Sequence, residues 1–216
     1  MVTGEDITVV IATQPDRAWM LERALDSIDR QTIPAAHVVV EVDRDRQGTA
    51  KTRNAALERV TTPWIAILDD DDWFHPNHLE TLIAGANASW ADLIGTYPEA
   101  ASSGQQDALY CCHKGIRVIG PVNVQWGPEQ LDHFDARRGR ICPHCGSPRG
   151  SFIMVTNLVR MTFVDKIGGF PEPGAMGEGF AGYGAEDYLF LLALLDAGAR
   201  FHHVTGVRTW SYRVKG

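Results

Sequence analysis

One run constrains this chain more than any other: Trp64-Ile65-Ala66-Ile67-Leu68-Asp69-Asp70-Asp71-Asp72-Trp73-Phe74-His75-Pro76. Trp64, Ile65, Ile67 and Leu68 read as a buried strand. The four carboxylates that follow stand side by side, and each raises the pKa of its neighbours unless a cation neutralises them. Their oxygens suit a hard divalent ion, Mg²⁺ or Mn²⁺. In open α/β sheets the C-terminal end of a strand is also where ligands bind. A solvated acidic loop is the plain alternative, and the position directly after a buried strand counts against it.

The rest of the chain repeats the same alternation. Ile7 to Ala12 is a continuous apolar, β-branched run. Asp16 is placed to cap a helix carrying Met20, Leu21, Ala24, Leu25 and Ile28. Val38 to Asp43 reads as a second strand, followed by a helix over Ala50 to Arg59. Pro76 starts a helix with Leu79, Leu82 and Ile83, and Ala91 to Tyr97 reads as a strand. Strand and helix in alternation predict an α/β fold with a mostly parallel central sheet flanked by helices. Later come a strand over Ser151 to Val159 and a helix from Thr162 to Ile167. A glycine-rich loop, Gly168 to Gly184, could close over a ligand and exclude water. A helix over Glu186 to Ala197 is ended by Gly198, and two short strands, Arg200 to Val204 and Thr209 to Val214, complete the pattern.

Residues 102–150 break the alternation. Cys142-Pro143-His144-Cys145 is a C-x-x-C knuckle of zinc-ribbon type, and Cys111-Cys112-His113 is its candidate partner. In a strand Cys111 and His113 share a face, so Cys111, His113, Cys142 and Cys145 form the expected set, with Cys112 as a substitute for Cys111. Four protein ligands close the coordination sphere, which makes the site structural Zn²⁺ rather than catalytic. Four unmetallated thiols are the alternative. The expected organisation is a single domain over residues 1–216 carrying this 102–150 insertion.

Charge and length narrow the function classes. A net charge of −7 and a pI of about 5.6 disfavour broad affinity for nucleic acid or anionic membrane. Arg137, Arg138, Arg140 and Arg149 nevertheless leave a nucleic-acid acceptor open. The longest apolar run, near Leu189 to Leu195, is too short to span a bilayer. No basic leader precedes Ile7, so a cytoplasmic protein is expected.

Five segments in order resemble the family 2 glycosyltransferases of the GT-A fold: Ile7 to Thr13, the strand ending at Asp43, Thr52-Arg53-Asn54-Ala55-Ala56-Leu57, Leu68 to Asp72, and Ile167-Gly168-Gly169-Phe170-Pro171-Glu172. Phe180-Ala181-Gly182-Tyr183-Gly184-Ala185-Glu186-Asp187 is similar to the F-x-GWG-x-ED stretch of the β-1,4-galactosyltransferases. The resemblance implies a nucleotide diphosphate-sugar donor, with a UDP-sugar expected, a divalent cation, and inversion at the anomeric carbon. It implies that Asp71 binds the metal and that Asp69 contacts the ribose or the metal, with Asp70 beside them at the donor; the four-Asp run leaves Asp70 and Asp72 open as the pair. It implies that Asp187 is the base and that Glu186 assists it, although two acids could simply favour a helix N-terminus. Thr13 and Asp43 would hold the nucleotide, with Asp45 open in place of Asp43. The first motif lacks the family's usual Pro-Thr-Tyr-Asn form: Ala12 replaces Pro, and Gln14-Pro15 follows Thr13. A late histidine ligand would be His203, or His202 on the opposite strand face. Arg53 is a candidate for the diphosphate, with a surface helix residue as the alternative. Trp73 and Trp126 could stack on a sugar.

The expected activity is transfer of a sugar to an acceptor hydroxyl on a saccharide, a protein or another compound. Two rivals stand beside it. A sugar-nucleotide nucleotidyltransferase would need a Gly-rich, basic loop after its first strand, which Thr13-Gln14-Pro15-Asp16 is not. A non-catalytic, zinc-organised binding module has no need of Asp71 and Asp187.

Overall fold

The computed structural model describes residues 1–100, 109–110, 117–118, 156–172 and 185–212. The described strands are β1 (Ile7–Thr13), β2 (His37–Val42), β3 (Trp64–Ile67), β4 (Trp73–Phe74), β5 (Leu93–Ala100), β6 (Leu109–Tyr110), β7 (Arg117–Val118), β8 (Asn157–Arg160) and β9 (Phe201–Tyr212). The described α-helices are α1 (Ala18–Asp29), α2 (Thr49–Leu57), α3 (His78–Ser89), α4 (Met161–Ile167) and α5 (Ala185–Asp196).

Seven strands form one sheet in the order β2-β1-β3-β8-β5-β9-β4, and β6 pairs separately with β7. β1 runs parallel to both β2 and β3, and β5 runs parallel to β9. β8 enters antiparallel between β3 and β5, and β4 lies antiparallel to β9 at the edge. The sheet is therefore mixed, with most of its described strands pointing one way. Asp92 helps hold β8 and β9 in place: its carboxylate pairs with Arg160 at 2.9 Å and Arg200 at 3.2 Å.

The apolar runs of β1 and β3 are buried on both faces, as strands between two helix layers must be. Ile7, Val9, Ile11, Trp64, Ala66 and Leu68 pack with Ala24 and Ile28 of α1 and Leu79, Leu82 and Ile83 of α3. Val10, Ile65 and Ile67 point the other way, toward Ala50 and Ala56 of α2, Val164 of α4, and Phe190, Leu191 and Leu194 of α5. The alternation is the two-residue period of a strand. It puts α1 and α3 on one face and α2, α4 and α5 on the other.

Several local expectations change. Asp16 does not cap α1; it lies in a 3₁₀ turn, Pro15–Arg17, and the N-cap is Arg17, which makes no side-chain capping bond. The helix expected from Pro76 begins at His78. The fourth strand is shifted to Leu93–Ala100. Within the described residues, the strand expected from Ser151 begins at Asn157, and 151–155 lie outside them. The two short closing strands are one long strand, β9. It pairs with β5 from Phe201 to Tyr212, with register shifts between Gly95 and Tyr97 and between Tyr97 and Pro98, so the strand continues through an irregularity rather than ending. Among the described residues, no helix is long and apolar enough to cross a membrane.

Candidate active site

The C-terminal ends of β1, β2 and β3 bring Thr13, Asp43 and the four aspartates to one rim of the sheet. The amide of Asp43 donates to the Thr13 carbonyl at 2.8 Å, which keeps the two strand ends together. Asp43 Oδ1 accepts from the Gln47 amide at 2.7 Å and Oδ2 from the Gly48 amide at 2.8 Å. That carboxylate thus shapes the turn into α2, and Gly48 supplies the turn's positive φ of 98°.

The four aspartates form a tight turn between β3 and β4, closed by the Asp72 amide donating to the Asp69 carbonyl at 3.1 Å. Turn geometry splits them into two pairs. Asp70 and Asp72 are buried, whereas the side chains of Asp69 and Asp71 are 31% and 16% exposed. Thr13 Oγ1 donates to Asp70 Oδ2 at 2.6 Å. Arg17 spans the next two carboxylates, with Nη1 2.9 Å from Asp70 Oδ1 and Nη2 2.5 Å from Asp71 Oδ2. Arg23 Nη2 donates to the Asp71 carbonyl at 2.5 Å while its guanidinium lies 3.9 Å above the Trp73 ring. Burial raises the pKa of Asp70; the Thr13 bond and Arg17 oppose the rise, and Asp71 and Asp69 add to it.

A second guanidinium joins this turn to the far end of the chain. Arg53 lies on α2 with a side chain only 3% exposed, so it is not a surface helix residue. Nη2 contacts Asp69 Oδ1 at 2.6 Å, Nη1 donates to Asp187 Oδ1, and Glu186 Oε1 stands 3.9 Å from Nη1. Burial alone would lower the Arg53 pKa, but Asp187 and Asp69 outweigh it and the pKa rises. Asp187, in the first turn of α5, is pushed up to about 7: burial is the main cause, Arg53 opposes it, and Asp69 and Glu186 add to it.

The Gly-Gly-Phe segment supports this arrangement from behind. Asn54, beside Arg53, donates from Nδ2 to the Phe170 carbonyl at 2.9 Å and accepts from the Phe170 amide at 2.7 Å. The Phe170 ring stacks on Phe190 of α5 with centroids 3.9 Å apart, and the Arg53 guanidinium lies 5.0 Å from its centre. Two motifs far apart in sequence thus form one support under the guanidinium.

Of the residues expected from the sequence, the fold places Thr13, Asp43, Arg53, Asp69, Asp70, Asp71, Glu186 and Asp187 on and around the rim. Sequence reasoning missed Arg17, Arg23 and the pairing of Asn54 with Phe170. Four adjacent acids require counter-ions, and Arg17 lies just beyond the end of β1; that signal was available. His203 lies in β9 opposite Gly95, but its side chain is outside the described residues. Cys111, His113, Cys142 and Cys145 are outside them, as are Cys112, Trp126 and 173–184 of the glycine-rich loop. Among the described residues, no three His, Cys, Asp or Glu side chains are grouped as a metal-binding set.

Comparison with known proteins agrees with this architecture. A family model described as Glycosyl transferase family 2 matches residues 35–108. No curated protein matches the chain. Crystallised S. aureus TarS 1–349 superposes with a TM-score of 0.63 at 14% identity, over 96% of this chain and 60% of that one. The same TarS segment in complex with UDP-GlcNAc gives 0.62 at 15% identity, over 98% and 59%. Mannosyltransferase PcManGT from Pyrobaculum calidifontis, in complex with GDP-Man and Mn²⁺, gives 0.55 at 13% identity, over 94% and 56%. The fold is GT-A-like, and the chain spans about three fifths of the length of these structures.

Proposed function

We propose that this chain is an inverting glycosyltransferase that moves a sugar from a nucleotide diphosphate donor to an acceptor hydroxyl, with a divalent cation at the acidic turn. The observation that carries the reading is the Arg53 bridge: one buried guanidinium holds both the strand-end acid Asp69 and the distant acid Asp187. The family match over residues 35–108 supports it. UDP-GlcNAc and GDP-Man in similar structures support a nucleotide-sugar donor, and Mn²⁺ in one of them supports a divalent cation.

The donor set fits a hard cation chemically. The acids of the turn offer only carboxylate oxygen, the donor a hard divalent cation takes. Asp69 and Asp71, the more exposed pair, would hold the ion, in preference to Asp70 and Asp72. When bound, it supplies Lewis-acid stabilisation of the charge that develops on the departing diphosphate.

The remaining roles belong to the chain's own side chains. Asp187 takes the proton from the acceptor hydroxyl as that oxygen attacks the anomeric carbon and the diphosphate leaves. A carboxylate raised to about 7 is matched to that task near neutral pH. Arg53 keeps Asp187 oriented, and Glu186 lies beside it for the acceptor. Thr13 and Asp43 flank the donor, each Asp43 oxygen retaining a lone pair beyond its amide bond. The structural Zn²⁺ assigned to Cys111, His113, Cys142 and Cys145 rests on sequence spacing.

The test is release of nucleoside diphosphate from UDP-GlcNAc, UDP-glucose and GDP-mannose with Mn²⁺. One or more donors should turn over, and Asp71→Asn and Asp187→Asn should each abolish most of the rate. Turnover surviving both substitutions would sink the mechanism.

A further inference from the structure

Two of the guanidiniums at the acidic turn, those of Arg53 and Arg17, differ in burial. Arg53 is buried beneath the turn among Asp69, Glu186, Asp187 and the Phe170 ring. Arg17 stands at the junction of a 3₁₀ turn and α1, with its side chain 26% exposed. Its two Nη atoms spread over two successive carboxylates, Asp70 and Asp71. One of these, Asp71, is assigned above to the divalent ion.

We propose that Arg17 is a resident counter-ion: it neutralises Asp71 when no divalent cation is present, and the cation must displace it. This rests on the reading that Asp71 takes the ion. Arg17 occupies Asp71 Oδ2, and two cations close to one carboxylate repel each other, so the ion and the Arg17–Asp71 contact compete for that carboxylate. The contact also gives a reason why the acids are spread toward guanidiniums rather than gathered about a common centre. The turn itself does not depend on Arg17. Arg23 holds the Asp71 carbonyl, and the Asp72 amide closes the turn onto Asp69. Once displaced from Asp71, the Arg17 guanidinium keeps its Asp70 contact and turns its Nη2 donors to other acceptors, of which a diphosphate is one that planar donors match.

The experiment is Mn²⁺ binding to the protein without nucleotide, read from the free-ion electron paramagnetic resonance signal. Wild type is compared with Arg17→Gln, Arg17→Lys and Asp71→Asn. Arg17→Gln should bind Mn²⁺ tighter by roughly tenfold, equivalent to about 1.4 kcal/mol. Arg17→Lys keeps the charge but not the two-pronged geometry, and should lie between it and wild type. Arg17→Gln should also melt lower than wild type without metal and recover with saturating Mn²⁺. Should Arg17→Gln not fold, the Arg17→Lys affinity alone decides. Unchanged or weaker binding in the Arg17 variants, with Asp71→Asn still losing the ion, would overturn the counter-ion role and leave the cation site standing. Unchanged binding in Asp71→Asn would overturn both.

Discussion

Replacing Arg53 with methionine removes the charge that joins the acidic turn to α5 while keeping a long apolar stem over Phe170. Removing one partner of a buried ion pair costs about 3–5 kcal/mol. Here the Asp69 and Asp187 side chains are 31% and 25% exposed and recover part of their hydration. The expected loss is therefore about 3 kcal/mol at high pH. The pH dependence has a definite sign. Asp187 has its folded pKa raised to about 7, so its contribution to stability is fully present below its unfolded pKa and is lost as pH rises through about 7. Arg53 opposes that rise, so Arg53→Met moves the Asp187 pKa higher and extends the loss to higher pH. At about pH 5.5 Asp187 is largely neutral in both proteins, and only the Asp69 contact and packing remain, about 1–1.5 kcal/mol. Urea unfolding at about pH 5.5 and about pH 8.5 measures the difference. Adding Asp187→Asn should shrink the high-pH cost of Arg53→Met to its low-pH value. A cost that does not change with pH, or a double variant whose effects simply add, would refute the coupling of these groups.

Two further substitutions test the supports. Gly169 has φ of 86°, and a Cβ there would meet Asn54 Oδ1 at 2.5 Å; Gly169→Ala should cost about 2–3 kcal/mol from left-handed strain and loss of the Asn54–Phe170 bonds. A urea midpoint within error of wild type would show that Asn54 is not held as described. Thr13→Val deletes the donor to buried Asp70 and should cost about 2 kcal/mol at neutral pH. Because the Thr13 bond lowers the raised Asp70 pKa, the loss should diminish as the pH falls and Asp70 takes up a proton; a loss that grows in acid would contradict it.

Local pattern determined much of this protein. The uninterrupted apolar runs at Ile7 to Ala12 and Trp64 to Leu68 require burial on both faces, and the intervening helical periods supply the covering layers. Asp69 to Asp72, placed directly after a buried strand, mark the acidic strand-end rim from the sequence alone. The tertiary structure decided what periodicity cannot encode. β8 enters antiparallel between β3 and β5 because pairing depends on backbone hydrogen bonds and the Asp92 ion pairs across the chain. The pairing of the aspartates into buried and exposed members follows from the turn, since sequence gives four identical side chains and only backbone direction distinguishes them. The burial of Arg53 is likewise a tertiary result: on a polar helix it reads as either a diphosphate ligand or a surface residue, and only Asp69 and Asp187, arriving from two other elements, bury and neutralise it. Residue types set which charges had to be balanced; the fold decided that Arg17 and Arg53 balance them, because long-range electrostatic partners are chosen by distance in space and not by separation along the chain.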